Sequence, residues 1–228
     1  MEALQINGRS FLKCNISNKS PTWGMLDIFM WKVIPNKFGG GKNYIQRFKD
    51  AWVIHNKTSI RIAAETYRLP VELLAGVCWI EVGGDPNFID RVAFEVRSFD
   101  WSGPDYVDKN LTIISPPEKT SFGFVSIQLR TAAKTIGLDP IKMNSSQLRA
   151  LANCIEKDIY NIDLVAKHLR QLADYDNLPS KLRMDDIKII GARYNRGIIP
   201  TLEEIKRNTS YGKFIVNHWQ RFNKLIWG

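Results

Sequence analysis

The chain has 228 residues, 44% of them hydrophobic and 24% charged, and these proportions exclude wholesale disorder. No apolar run approaches the roughly 20 residues that a membrane-spanning helix needs. With 32 Lys and Arg against 23 Asp and Glu, the net charge is +9, which favours an anionic partner such as nucleic acid, a membrane face or a wall polymer.

The cysteines and histidines indicate neither a disulfide scaffold nor a metal centre. Cys14, Cys78 and Cys154 allow at most one internal disulfide. Cys78 and Cys154 lie on different predicted helices, so their pairing is left open. The three histidines are scattered without zinc-ligand spacing. We therefore expect no metal and no other cofactor.

Residues 1–43 are predicted to form an N-terminal arm and linker. The first twenty residues lack the charged-then-apolar pattern and the small-residue cleavage site of a signal peptide. We therefore expect synthesis in the cytoplasm without one. The apolar run at 25–34 is closed by Pro35 and is predicted to pack on the main domain, and FGGGK at 38–42 is predicted to be a flexible joint.

Residues 44–228 are predicted to form one mainly helical domain. Apolar residues recur at helical spacing over 44–67, with a break near Asn56, and a new helix is predicted from Pro70 to residue 82. The stretch 83–120 is rich in Gly and Pro, with β-leaning pieces, and predicts loops plus a small hairpin or sheet. Helical periodicity returns at 124–137, 145–157, 159–175, 185–195 and 211–226. The expected fold class is α+β, predominantly α.

Glu81 is the most informative residue of the 70–82 helix. Leu74, Val77, Cys78 and Glu81 fall at i, i+3, i+4 and i+7, so they share one face that is otherwise apolar. A carboxylate at the buried end of such a stripe responds with a raised pKa. A glutamic acid still protonated near neutral pH suits general acid catalysis. The alternative is a helix-end Glu that bends to solvent or pairs with a Lys or Arg.

Four segments in one order resemble the lysozyme-like superfamily. LPVELLAGVCWIEVGG (69–84) is similar to the segment of soluble lytic transglycosylases and goose-type lysozymes that ends in the catalytic Glu. SFGFVSIQLRTAAKTIG (121–137) resembles their Ser-x-Gly-Leu-Met-Gln-Ile block, which continues with Thr-Ala and a later Gly. NIDLVAKHLRQL (161–172) resembles their helix with Asn-Ile and Tyr-Leu, and GARYNRG (191–197) resembles Ala-x-Tyr-Asn-x-Gly. The resemblance implies a lysozyme-like fold with a small β or loop insert.

The chain departs from the family pattern at several positions. Val82 follows the Glu where the family usually has Ser, and Ser126 stands where it has Gln, with Gln128 two residues on. FEVRSFDW (94–101) is similar to the Phe-Glu-x-His-x-Phe piece of a phage-type N-acetylmuramidase family, with Arg97 in place of His. The resemblance therefore specifies the superfamily better than the subfamily.

The resemblance implies cleavage of the β-1,4 bond between N-acetylmuramic acid and N-acetylglucosamine in peptidoglycan, with Glu81 protonating the bridging oxygen. In a lytic transglycosylase, which we expect first, Glu81 then takes the proton of the muramyl 6-hydroxyl and a 1,6-anhydro end forms. In a hydrolytic muramidase, a second carboxylate activates water, and an inverting pair stands roughly 6.5–9.5 Å apart. The candidates for that carboxylate are Glu95, Asp100 and Asp105.

Tyr194 leads the candidates for substrate contact. It shares a helical face with Ile187 and Ile190, so it is predicted to point inward, where its hydroxyl needs a partner. The family role is to orient Glu81 and contact the sugar, and the alternative is a core Tyr bonded to backbone. Asn195 is expected to cap the helix end or support the wall. Contacts with N-acetyl groups are expected from Ser121, Ser126 and Gln128.

The missing signal-peptide pattern raises the question of how such an enzyme would reach peptidoglycan. We expect an antibacterial toxin delivered by a contact-dependent machine such as type VI secretion, acting in the periplasm of a target bacterium. The N-terminal arm would then bind a component of the machine, and a periplasmic immunity protein would plug the cleft. A phage endolysin is the alternative.

Three other classes of protein compete with this interpretation. An inactive lysozyme-fold module that binds glycan would explain the changes at Val82 and Ser126. A chitinase or chitosanase would use the same carboxylates on another glycan. A nucleic-acid-binding protein would explain the charge, but the basic residues form no dense stripe or known motif, so we expect no nucleic acid partner.

Overall fold

A computed structural model describes residues 21–83 and 125–228 with their side chains, that of Ser145 excepted, and the backbone of residues 5–6, 9–10 and 121–122. Within these ranges the chain is predominantly helical, which confirms the mainly α prediction. The loops and hairpin predicted at 83–120 lie outside the described residues, apart from Gly83.

Helices follow one another along the described chain: α1 (Met25–Lys32), α2 (Gly41–His55), α3 (Lys57–Thr66), α4 (Val71–Glu81), α5 (Leu129–Thr135), α6 (Ser145–Ile155), α7 (Asp158–Tyr175), α8 (Met184–Arg196), α9 (Leu202–Arg207), α10 (Ser210–Asn217) and α11 (Trp219–Trp227). A 3₁₀ turn spans Asn36–Phe38. The strands form two antiparallel pairs: β1 (Gln5–Ile6) with β2 (Arg9–Ser10), and β3 (Ser121–Phe122) with β4 (Ile127–Gln128).

The predicted break near Asn56 and the helix after Pro70 are both confirmed. Asn56 separates α2 from α3, and its side-chain amide donates to the carbonyl of Trp52 at 3.2 Å and to the carboxylate of Asp158 at 3.1 Å. An Asn side chain that bonds to backbone in this way competes with helix continuation. Pro70 directly precedes α4, where its missing N–H costs no hydrogen bond.

The segment 124–137 is helical only from Leu129 onward. The residues just before it belong to the strand pair, in which Ser121 lies opposite Gln128 and Phe122 opposite Ile127. Aromatic and β-branched residues favour extended backbone, and this stretch is rich in both. The prediction therefore has the helix correct but starts it too early.

The C-terminal third differs from the prediction in two respects. The predicted single helix 211–226 is divided into α10 and α11 at His218, whose backbone leaves the helical region at φ −108° and ψ 18°. The short helix α9 was not predicted, because it carries too few apolar residues to show a period. It begins at a capping box, in which Glu204 accepts from the backbone N–H of Thr201 at 2.7 Å.

Helix α4 is buried on all sides rather than along one stripe. Every residue from Leu73 to Trp79 is buried, and α2, α3, α10 and α11 pack around it. Gly76 lets the side chains of α10 and α11 pack against the backbone of α4. A Cβ at this position would lie 2.8 Å from the side chain of Ile215 and 3.0 Å from that of Phe222. The sequence correctly predicts the buried face, and α4 carries Glu81 out of the core at its C-terminal end.

Helices α8 and α10 cross at two glycines. A Cβ on Gly191 would lie 2.6 Å from the Cα of Gly212, and a Cβ on Gly212 would collide with the backbone of Lys188. Arg193 anchors the other side of α8, where its buried guanidinium makes two 2.8 Å bonds to the carboxylate of Asp176. The two glycines therefore allow the backbones of α8 and α10 to lie in direct contact.

The N-terminal segment packs on α2 through aromatic side chains. Trp23 is buried, and its ring centroid lies 4.6 Å from that of Phe48 and 6.1 Å from that of Tyr44. The FGGGK stretch forms the end of the 3₁₀ turn and the start of α2, with Gly39 in the left-handed region at φ 86°.

The thiol of Cys78 is free and buried in α4, whereas Cys154 is disulfide-bonded, so these two cysteines do not pair with each other. Over residues 21–83 and 125–228, no helix is both long and apolar enough to cross a membrane.

Candidate active site

Glu81 is the last residue of α4, and its side chain is half-buried. One carboxylate oxygen accepts a 2.7 Å hydrogen bond from the hydroxyl of Tyr211. Burial raises the pKa of Glu81, while the Tyr211 hydrogen bond and the charge of Lys49 act in the opposite direction without cancelling it. The direction of the shift is the one that the apolar stripe predicts.

Lys49 is a buried cation next to this end of α4. It projects from α2, and its ammonium donates to the backbone carbonyls of Trp79 at 2.9 Å and Ile80 at 2.6 Å. These carbonyls belong to the last turn of α4, where no further helical N–H is available. A cation there also complements the negative end of the helix dipole. Burial lowers the pKa of Lys49 to about 8, and the nearby Glu81 acts to raise it.

Tyr211 reaches Glu81 from α10. Because α10 is in contact with α8, the Tyr211 ring also lies beside that of Tyr194, with centroids 6.0 Å apart. Burial, the negative charge of Glu81 and the neighbouring Tyr194 raise the pKa of Tyr211 well above its ordinary value. The hydroxyl therefore remains protonated and serves as a donor.

Tyr194 does not make the contact that the family pattern assigns to it. Its side chain is half-buried, and its hydroxyl lies 3.5 Å from the carbonyl of Ser126, at the limit of a hydrogen bond. The hydroxyl that orients Glu81 belongs to Tyr211, and Tyr194 lies one ring further along, between Tyr211 and His168. The hydrogen bond to Glu81 expected of Tyr194 is therefore made by Tyr211, and the expected contact of Tyr194 with the sugar stays a prediction.

His168 ends this row of side chains. The hydroxyl of Thr135 donates its single hydrogen to the carbonyl of Thr131 at 2.8 Å and lies 3.2 Å from Nδ1 of His168. It follows that Nδ1 carries the hydrogen and donates to Thr135, which leaves Nε2 as an acceptor. Burial lowers the pKa of His168 to about 4, so the ring is neutral near neutral pH.

The remaining candidates lie at different places. Ser126 is exposed, and its carbonyl faces Tyr194. Gln128 is half-buried, and its side-chain oxygen accepts a 2.8 Å hydrogen bond from Nε of Arg130. Ser121 lies opposite Gln128 in the strand pair. Asn195 is exposed and does not cap α8, because the helix continues to Arg196 and ends at a glycine with φ 74°. Glu95, Asp100 and Asp105 lie outside the described residues.

Trp79 has a structural role close to the site. It is buried, its ring stacks on Phe214 with centroids 5.7 Å apart, and its indole N–H donates to Asp50 at 2.8 Å. Asp50 in turn accepts two bonds from Arg221, at 2.9 and 2.8 Å. These contacts hold the last turn of α4 in place.

Three residues of this site were not predicted from the sequence. Lys49 could have been noticed, since it interrupts the buried face of α2 formed by Ile45, Trp52 and Val53. Tyr211 and His168 lie on helices that were predicted, but no local pattern links either of them to Glu81. No family model, curated protein or solved structure matches this chain.

Proposed function

We propose that the protein is a peptidoglycan-cleaving glycosidase with a lysozyme-like fold, acting on the bond between N-acetylmuramic acid and N-acetylglucosamine. The observation that carries the proposal is the half-buried carboxyl of Glu81, with its raised pKa and its 2.7 Å bond from Tyr211. It ends the helix whose sequence resembles the catalytic segment of lytic transglycosylases and goose-type lysozymes.

The contacts of Glu81 suit a group that first gives and then takes a proton. In the first step, protonated Glu81 transfers its proton to the bridging oxygen while the bond from that oxygen to the muramyl C1 breaks. The carboxylate left behind is stabilised by the Tyr211 hydroxyl and by the positive charge of Lys49. Burial favours the neutral form and these two groups favour the charged one, so each of the two protonation states has a stabilising contribution from its surroundings.

A lytic finish fits these contacts. The carboxylate accepts the proton of the muramyl 6-hydroxyl as that oxygen bonds to C1, so a 1,6-anhydro ring forms and no water is consumed. The described residues that act on the carboxyl group of Glu81 are a hydroxyl donor and a cation, Tyr211 and Lys49, and neither is the second carboxylate that a hydrolytic muramidase uses. A hydrolytic muramidase is the second candidate and would require Glu95, Asp100 or Asp105.

Digestion of purified peptidoglycan tests the proposal. Wild-type protein is expected to release fragments one water lighter than hydrolysis products, as weighed by mass spectrometry. Glu81→Gln is expected to reduce the rate at least about a hundredfold, since general acid catalysis contributes that much. Glu65→Gln, on the exposed face of α3, is the matched control and should retain full activity.

The other outcomes are equally informative. Fragments with a free reducing end would replace the lytic finish with the hydrolytic one, and Glu95, Asp100 and Asp105 would then be replaced in turn. Equal rates for wild type and Glu81→Gln would refute the assigned active site.

A further inference from the structure

The outward face of α1 is apolar. Met25, Leu26, Phe29 and Val33 fall within an arc of about 100° on a helix with 3.6 residues per turn. Their exposed fractions are 63%, 81%, 51% and 59%, and Phe38 on the following 3₁₀ turn is 68% exposed. These five side chains form the α1 patch. Singly exposed apolar residues are ordinary, whereas several large ones that share a helix face indicate an interaction surface.

The opposite face of α1 is held by polar and aromatic contacts. The carboxylate of Asp27 accepts from the hydroxyl of Tyr44 at 2.7 Å and from the backbone N–H of Gly24 at 2.8 Å. The Trp31 ring packs on that of Trp23, with centroids 6.2 Å apart. The helix therefore directs its one acidic side chain and Trp31 inward, while Met25, Leu26 and Phe29 face outward. An ordinary surface helix buries such apolar side chains and exposes its charged ones.

Cations lie next to the α1 patch in the same part of the chain. The ammonium of Lys32 lies 5.1 Å from the Trp31 ring, and that of Lys37 lies 4.9 Å from the Phe38 ring. Lys42 and Arg47 are also exposed on the first turns of α2. Since Asp27 is the one acidic residue between positions 21 and 49 and faces inward, the rim of the patch is positively charged.

We propose that the α1 patch binds the surface of an anionic lipid bilayer. Apolar and aromatic side chains with lysines around them are the combination by which short helices lie in the interface of a membrane. The apolar groups enter the boundary between headgroups and acyl chains, while the lysines meet the negative surface potential. This inference does not depend on the proposed glycosidase activity.

Sedimentation with lipid vesicles tests the proposal. Wild-type protein is expected to pellet with vesicles of phosphatidylglycerol and phosphatidylethanolamine, and to stay in the supernatant with phosphatidylcholine alone. The double variant Leu26→Ser/Phe29→Ser should lower the partition coefficient at least about tenfold, since it removes two large apolar groups from the interface. Ile199→Ser removes a 96% exposed apolar side chain outside the patch and should bind as wild type does.

The charged rim has a separate expected effect. Lys37→Gln/Lys42→Gln should weaken binding to the anionic vesicles roughly fivefold or more per lysine. Binding of the wild type should also weaken as salt rises, because exposed charges are screened. Circular dichroism of each variant checks that the helices are retained, and Val33→Ser replaces the double variant if that protein does not fold.

Several results would overturn the proposal. One is absence of wild-type binding to the anionic vesicles, and another is binding that Leu26→Ser/Phe29→Ser leaves unchanged. A third is a wild-type dimer in solution that the same double variant converts to monomer, since the patch would then be covered by a second copy of the chain. Peptidoglycan digestion by the double variant is expected to be normal, which separates this proposal from the glycosidase.

Discussion

Two side chains, Tyr211 and Lys49, act on the protonation of Glu81. Both lower its pKa, whereas burial raises it further than they lower it. The pKa of Glu81 therefore depends on Tyr211 and Lys49, and the pH dependence of activity reports their effect on it. Because both residues lower the pKa of Glu81, replacing either of them by a neutral, non-donating side chain should raise it.

Tyr211→Phe is expected to move the alkaline limb of the pH–rate profile to higher pH. The variant removes a hydrogen bond that favours the charged form of Glu81, so the pKa of Glu81 rises. Activity that needs protonated Glu81 is lost as pH rises through that pKa, so the loss occurs at higher pH. The profile of kcat/KM on soluble muropeptide measures the shift.

Tyr194→Phe is the matched control for this experiment. The hydroxyl of Tyr194 lies 3.5 Å from a backbone carbonyl rather than on Glu81, so its loss should leave the limb near its wild-type position. A larger shift for Tyr194→Phe than for Tyr211→Phe would show that the two tyrosines have been assigned the wrong roles.

At the scale of the elements, the local signals in the sequence predicted the helices well. The break at Asn56, the start after Pro70 and the burial of Leu74, Val77 and Cys78 all follow from residues close to each other in the chain. The errors have local causes too, such as the weak periodicity of α9. The contact between α8 and α10, which carries Tyr211 to the site, depends on Gly191 and Gly212 and was not predicted.

Gly191→Ala is expected to destabilise the protein by roughly 1–3 kcal/mol, the usual cost of overpacking. The added methyl would lie 2.6 Å from the Cα of Gly212, so α8 and α10 must separate. Because α10 carries Tyr211, activity should fall together with stability. Urea unfolding measures the free energy, and the digestion assay measures the rate.

Gly24→Ala is the control for this substitution. Its added methyl would meet no atom closer than 3.8 Å, and its backbone is in an extended conformation. We expect a loss smaller than that of Gly191→Ala. If the two variants unfold at the same urea concentration, the glycine contact does not hold the two helices together.

At the scale of the whole molecule, His168 couples folding to pH. Its folded-state pKa of about 4 lies below the ordinary value of 6.5. Between these values the unfolded chain binds more protons than the folded one, so stability rises with pH through this window and is lost as pH falls through it. Burial of the neutral ring is the cause.

His168→Gln is expected to remove this part of the pH dependence. Gln cannot take up a proton, and its amide can still donate to Thr135. Between pH 6.5 and pH 4 the wild type should lose up to about 3 kcal/mol more than the variant. Urea unfolding at both pH values measures the difference. Parallel losses in the two proteins would mean that His168 is charged in the folded state.

The sequence by itself determined where most helices lie and that Glu81 ends a buried one, because periodicity and capping act between residues a few positions apart. It also marked Tyr194 and the segments that resemble lytic transglycosylases. Only the tertiary structure decided what surrounds the carboxyl group. Tyr211 is 130 positions from Glu81 in the chain, and a hydrogen bond between residues so far apart cannot be predicted from the periodicity of neighbouring residues. The tertiary structure also decided that Met25, Leu26 and Phe29 lie on the outward face of α1, since Asp27 on the opposite face is held by Tyr44 of another helix.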